Sequence, residues 1–469
     1  MKGAESGQEP GVESRPDRAV IRRAIETRKD EILDWTMRLI RFPSENRPPT
    51  GGEQEAQEWL AAECRKAGWE TELYLPTAVP GAMQHPYWLA GRHYPAGRCN
   101  LGARWRGTGR QGSAAGSRGG AAGPSAGNSR APSSGARKGR SILFSGHMDV
   151  APFEPDNWKV TRPYEPRLIE GRLYGRGSAD MKGGLAAAFW ALKVLADSGF
   201  TPAGDIIFES IVDEEFAGGN GTLAGRLAGY NADLAVLSEP TRMQVCSACQ
   251  GAFLGDLTMR GKAGMPYMGE AIANPVHGLS RVILLFREWE KKWRRENDHP
   301  LFREKGKELN VVLYNLASAI PGEFTQMGIP LVASLSWIVW CYPGLSEQDF
   351  FKKFRAYWEP LFERDPDLAP FEIQLTPTYH YVRPWETPPV DPGVSAAAEA
   401  YEAVTGSAPG VGGAAFSCDL GMYGDPGGMP CVILGPRGDN LHAPDEWVLL
   451  EDIYTLAGVF AELAVRWSA

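Results

Sequence analysis

Several strand-like runs of this sequence end in clusters of His, Asp and Glu, the side chains that hold divalent cations. Ser141 to Ser145 runs into GHMDV, which sets His147 and Asp149 two apart, so that an extended backbone points both to one side. An imidazole beside a carboxylate that can hold its orientation is a common metal-site arrangement. YGRGSADMKGG sets Asp180 between a turn-forming segment and a helix from Gly184, where the helix N-terminus favours negative charge. The two oxygens of Asp180 can bridge two cations. Ile206 to Val212 ends in DEEFAGGNGT, and the adjacent Glu214 and Glu215 repel each other unless cations absorb the charge. Leu234 to Leu237 ends in SEPT, supplying Glu239, and the strand-like Cys431 to Leu434 leads into GPRGDNLHAPDEW, supplying His442.

Taken singly, an HxD or a Glu-Glu after a strand reads more readily as a solvated loop than as a ligand pair. The combination reads differently. Of seven histidines, His147 and His442 fall in strand-end loops together with four carboxylates, a donor set suited to a hard-to-borderline metal. His85, His93, His299 and His380 lack such a setting and read as ordinary loop or surface residues. Cys246 and Cys249 form a single CxxC without a partner pair, so packed thiols are expected there rather than a zinc knuckle.

These residues need a scaffold that brings strand ends together. Apolar residues recur at helical spacing from Ala19 to about Lys66, with a break at Pro43 to Pro49. From Ser141, strands alternate with helical patterns, including a small-residue helix from Gly184 to Leu195. This predicts an α/β fold with a doubly wound, mostly parallel sheet and a site beyond the carboxyl ends of its strands. The stretch 251–376 has another order: strand, helix, strand, strand, helix, strand. Leu279, Val282, Phe286, Trp289 and Trp293 stripe its first helix, and Phe350, Phe351, Phe354, Trp358, Leu361 and Phe362 its second. A βαββαβ, ferredoxin-like domain inserted into a catalytic domain of residues 19–250 and 377–469 is expected. Residues 1–18 read as a disordered tail, and 109–140, rich in Gly, Ala and Ser, as a flexible surface insertion.

Composition narrows the partners. With 49 basic and 57 acidic residues among 469, the net charge is −8, and no basic block suits nucleic acid. No apolar run reaches the length of a membrane span, and the N-terminus lacks a secretory core. Seven scattered cysteines fit a reducing compartment, so a cytoplasmic protein acting on a small molecule is expected.

The ordered motifs SGHMDV, GRGSADMKGG, DEEFAGGNGT, SEPT and GPRGDNLHAPDE resemble those of the metallopeptidase family that includes acetylornithine deacetylase, succinyl-diaminopimelate desuccinylase, aminoacylase and glutamate carboxypeptidase. The resemblance implies two zinc ions, with cobalt or manganese able to use the same ligands. His147 and Glu239 would hold one, Glu215 and His442 the other, and Asp180 would bridge them. It makes Asp149 the residue that orients His147, Glu214 the general base, and the inserted domain a lid through which a homodimer could form. GGNGTLA, SACQGAF and CDLGMY are similar to the deacylase branch that includes formylaminopyrimidine deformylases. The expected reaction is hydrolysis of a linear amide in an N-acyl or N-formyl small molecule. A dipeptidase or carboxypeptidase on the same scaffold, or a catalytically poor metal-binding relative, are the alternatives. Three departures bear on substrate. GKAGM puts Met265 where a lid histidine is usual, with His277 as a possible substitute. The strand SLSWIVWCYPG offers Trp337 and Trp340 in place of an arginine, and Gly421 stands where another arginine is frequent. An apolar or aromatic, less anionic substrate is expected.

Overall fold

The computed structural model describes residues 16–109, 139–153, 157–264, 266–319 and 330–469. The expected tail and Gly/Ser insertion fall almost wholly outside these residues, as does Met265. The chain begins with α1 (Arg18–Glu26), α2 (Lys29–Ile40) and α3 (Gln54–Lys66), then β1 (Glu70–Tyr74) and β2 (Asn100–Trp105). There follow β3 (Ile142–His147), α4 (Gly183–Asp197), β4 (Ile206–Ile211), α5 (Asn220–Leu227), β5 (Ala235–Leu237) and β6 (Val245–Arg260). Next come α6 (Pro275–Glu296), β7 (Val311–Ala319), β8 (Val332–Cys341), α7 (Glu347–Arg364) and β9 (Glu372–Val382). The last elements are α8 (Pro392–Thr405), β10 (Val411–Ser417), α9 (Leu420–Gly424), β11 (Cys431–Ile433) and α10 (Leu450–Ser468).

The central strands lie in the order β4, β3, β5, β11, all parallel. Along β3, Ile142 and Phe144 enter the core made with α4 and α10, while Leu143 enters a second core with Tyr423 and Met429. With both faces covered, β3 and β4 are buried along their whole length and open on continuous apolar runs instead of alternating, as parallel strands between helices do. The antiparallel β2 and β1 extend the sheet beyond β4. They do not stand out in the sequence, because β1 is a half-exposed edge, ETELY, with no apolar run to mark it.

The sixteen-residue β6 passes from one sheet to another. Val245 to Gln250 pair with β10, whereas Gly251 to Arg260 pair with β8. The second sheet has the order β7, β8, β6, β9, antiparallel throughout, which is the ferredoxin-like arrangement. The side chain of Asn274 caps α6, with Pro275 at its first position, and that of Ser346 caps α7. The predicted stripes of both helices lie on one face of the sheet, packed on Leu335, Trp337 and Val339 of β8. Trp337 is therefore a core residue: its ring stacks on Phe354 at 4.8 Å between centroids. The alternation of β8 leaves Ile338 and Trp340 on the other face. Among the described residues, no helix is long and apolar enough to cross a membrane.

Helix α4 approaches the end of β5 closely because Gly184 has no side chain. A Cβ there would lie 2.0 Å from the Ser238 carbonyl oxygen, which is backbone and cannot yield cheaply. We expect Gly184→Ala to cost about 1–3 kcal/mol of unfolding free energy, measured by urea denaturation; an unchanged midpoint would contradict this packing.

Candidate metal centre

The parallel strands converge so that their C-terminal ends meet. His147 is the last residue of β3, and its Nδ1 donates to the Asp149 carbonyl oxygen at 2.8 Å. A carbonyl can only accept, so this bond fixes the ring and turns Nε2 toward Asp180 Oδ1 at 3.1 Å and Glu239 Oε1 at 3.5 Å. The Asp149 carboxylate stands 3.8 Å from Nδ1 and has nearer partners. Its Oδ2 accepts the backbone N–H groups of Glu214 and Glu215 at 3.0 and 2.9 Å and Asn46 Nδ2 at 2.8 Å. Asp149 thus holds His147 through its main chain and the Glu214–Glu215 turn through its side chain.

Asp180 occupies the turn before α4, with Oδ2 3.3 Å from His442 Nε2. His442 Nε2 also lies 2.9 Å from Glu215 Oε2, and Glu215 Oε1 accepts the Ala151 N–H. Two groups of donors result. Ligand atoms of His147, Asp180 and Glu239 lie within 4.8 Å of one another, and so do those of Asp180, Glu215 and His442. Asp180 belongs to both. Glu214 belongs to neither, although its Oε2 is 3.8 Å from His147 Nε2.

The electrostatics of this cluster call for positive charge. Burial and neighbouring carboxylates push Glu214 and Glu239 well above the usual carboxylate range, and Glu215 is raised in the same way. Burial works against protonation of His442, but Glu215 and Asp180 outweigh it and push its imidazole up to about 11. His147 is likewise raised against its burial, by Glu239, Asp180, Glu214 and Asp149. In the absence of cations, protons supply the compensation. Two imidazoles and three carboxylates arranged around a shared aspartate are a donor set that fits two divalent cations.

Two supporting networks were not evident from the sequence. Asn46 is fully buried, and its amide group also meets Asp213 Oδ1 at 3.3 Å and the Glu215 carbonyl at 3.2 Å. Arg98 donates to Asn46 Oδ1 and Asp213 and pairs with Glu53. No local signal marks Asn46, which lies 103 residues from Asp149. Glu446, four residues beyond His442, accepts the N–H groups of Gly177, Ala179 and Asp180 at 2.9, 2.9 and 3.1 Å, and Arg176 Nη1 at 2.7 Å. Its place in LHAPDE was the available clue.

A cavity of about 1050 Å³ opens over both donor groups. Leu254, Ile338, Trp340, Val382, Phe416 and Met422 give it apolar walls. Arg92 and Arg383 also line it, so guanidinium groups stand nearby despite the arginines missing elsewhere. Gly421 makes room for Arg383, whose carbonyl oxygen would lie 2.7 Å from a Cβ at that position. His277 is exposed in the first turn of α6 and is not among the residues that line this cavity. Cys246 and Cys249 are buried free thiols, packed as expected.

Glu446→Gln would set an amide donor against N–H groups and leave Arg176 as an unpaired buried cation. A loss of about 3–5 kcal/mol in unfolding free energy is expected by chemical denaturation, and a loss below about 0.5 kcal/mol would contradict the clamp.

Comparison with known proteins agrees with this geometry. Over 352 residues the chain is 26% identical to N-formyl-4-amino-5-aminomethyl-2-methylpyrimidine deformylase of Bacillus subtilis, an alignment covering 70% of this chain and 79% of the relative. It is 32% identical to succinyl-diaminopimelate desuccinylase of Paracidovorax citrulli over 180 residues, 36% of this chain and less than half, 45%, of that relative. Among solved structures, a dipeptidase of Saccharomyces cerevisiae shares the fold with a TM-score of 0.70 at 14% identity, covering 96% of this chain and 98% of its own. The model of peptidase family M20/M25/M40 matches residues 143–466, a span holding every donor described above, and the chain belongs to that family of amide-bond hydrolases.

Proposed function

We propose that the protein is a two-zinc deacylase that hydrolyses the linear amide of an N-acyl or N-formyl small molecule. The observation that carries this reading is the pair of three-donor groups sharing Asp180, with the unassigned carboxylate of Glu214 beside them at the base of a cavity with apolar walls. In this reading His147 and Glu239 hold one cation, Glu215 and His442 the other, and Asp180 both. Cobalt or manganese suits the same N and O donors. The bound cations would polarise the scissile carbonyl and make water a better nucleophile.

This chain's residues supply the rest. Glu214 takes a proton from the attacking water and returns it to the leaving nitrogen. Burial and the neighbouring Glu239, Asp419 and Glu215 raise the proton affinity of this carboxylate. Asp149 fixes where Glu214 stands by gripping its N–H, and the bond to the Asp149 carbonyl keeps His147 Nε2 turned to the cation site. The apolar walls exclude water and favour a substrate with an apolar or aromatic body. The relatives that cleave formyl and succinyl groups support the deacylase reading.

The same proposal assigns 19–250 and 377–469 to the catalytic domain and 251–376 to a lid. The exposed Val312 and Leu316 on edge strand β7 support a homodimer through that lid. The seven free cysteines support a cytoplasmic location.

Amine release from a panel of N-formyl, N-acetyl and N-succinyl amines, amino acids and dipeptides tests the activity. Zinc-loaded protein is expected to release amine from at least one N-acyl compound, and Glu214→Ala to reduce the rate by about 10²–10⁴-fold. Release from dipeptides alone would favour a peptidase, and no release with two cations bound would sink the hydrolase reading. Cations must also displace the protons held by the raised carboxylates and imidazoles. Zinc affinity is therefore expected to rise with pH, with net proton release at pH 7 measured by calorimetry in buffers of different ionisation enthalpy; proton uptake would contradict the ligand set.

A further inference from the structure

One carboxylate at the cavity is left over once its neighbours are matched with partners. Asp419 lines the cavity and is 8% exposed. Its Oδ2 takes the hydroxyl of Thr222, and its other oxygen has no donor among the described residues. Apart from Glu214, the proposed base, the surrounding carboxylates outside the donor groups have partners: Arg98 and Tyr94 for Asp213, Arg226 for Glu209, Arg176 for Glu446, and three N–H groups for Asp149.

The charges of the proposed site lead to the same residue. Two divalent cations carry four positive charges, which Asp180, Glu214, Glu215 and Glu239 match. Asp419 is outside that count. Its carboxyl is raised to about 6 by burial, even though Thr222 bonds to it. His147 and Arg226 offset the burial of this carboxylate only in part, and a ligand that brings a cation to it recovers more of that cost.

We infer that Asp419 is a subsite for a protonated amine on the amine half of the substrate, an inference that rests on the deacylase reading. The substrate class is then an N-acyl compound that carries a second, cationic nitrogen and is otherwise apolar.

The test is calorimetric binding to zinc-loaded protein carrying Glu214→Gln, which suppresses turnover. The ligands are N-acetylputrescine and N-pentylacetamide, which differ by an ammonium group in place of a methyl. The cationic ligand is expected to bind at least about 10-fold more tightly, and Asp419→Asn to abolish that preference while changing the affinity for the neutral ligand by less than about twofold. Asp419→Ser serves as a second variant should the first unfold. Equal affinities, a preference that survives both substitutions, or no binding of the cationic ligand would overturn the inference. Failure here with amine release intact removes only the subsite, whereas absence of amine release from every compound removes the deacylase reading itself.

Discussion

Carboxylates are crowded into a buried place at the ends of four parallel strands, and much of the surrounding structure serves to make that tolerable. Asp180, Glu214, Glu215 and Glu239 face one another over a few ångströms, with Asp149 and Asp213 close behind. Each charge in the second rank has its own answer. Asp149 draws on backbone N–H groups, Asp213 on Arg98, and Glu446 on Arg176 and three N–H groups of the Asp180 turn. The front rank is answered only by the imidazoles of His147 and His442 and the Ala151 N–H, a donor set that suits cations.

The same constraint shapes the backbone. Asp213 and His442 both take positive φ, 65° and 59°, a conformation a side chain rarely adopts without strong local bonding. Asp213 is held by Arg98 and Asn46, and the loop of His442 is anchored by Glu446. Because Glu446 also binds the N–H of Asp180, a single carboxylate ties together the two segments that supply Asp180 and His442. The positions of these donors are thus set by bonds to the main chain instead of by side-chain packing alone.

Much of this was legible in the sequence, and for a physical reason. Parallel strands buried on both faces give continuous apolar runs, so β3, β4, β5 and β11 announce themselves, and the polar residues that follow them are necessarily at one end of the sheet. Helices α6 and α7 show their stripes for the same reason. Pairing across distance leaves no such trace. Asn46 and Arg98 lie far from Asp149 and Asp213 in sequence, and neither interrupts a pattern. Trp337 and Trp340 looked equivalent three residues apart, yet a strand's period of two puts them on opposite faces. Asp419, in CDLGMY, gave no hint that it would be the acid without a partner.

Strand β6 leaves the first sheet and enters the second without a break, and the chain returns beside it through Val382 to Glu386. At the crossing, Gly251 lies so close to its neighbour that a Cβ would meet Pro384 Cδ at 2.4 Å. Two hydrogen-bonded strands resist being sheared or pulled apart far more than they resist torsion along their length. The two sheets are therefore joined by a continuous backbone ladder on both strands, and the segment around His299 and Lys307 adds further bonds to Glu386, Gln244 and Gln250.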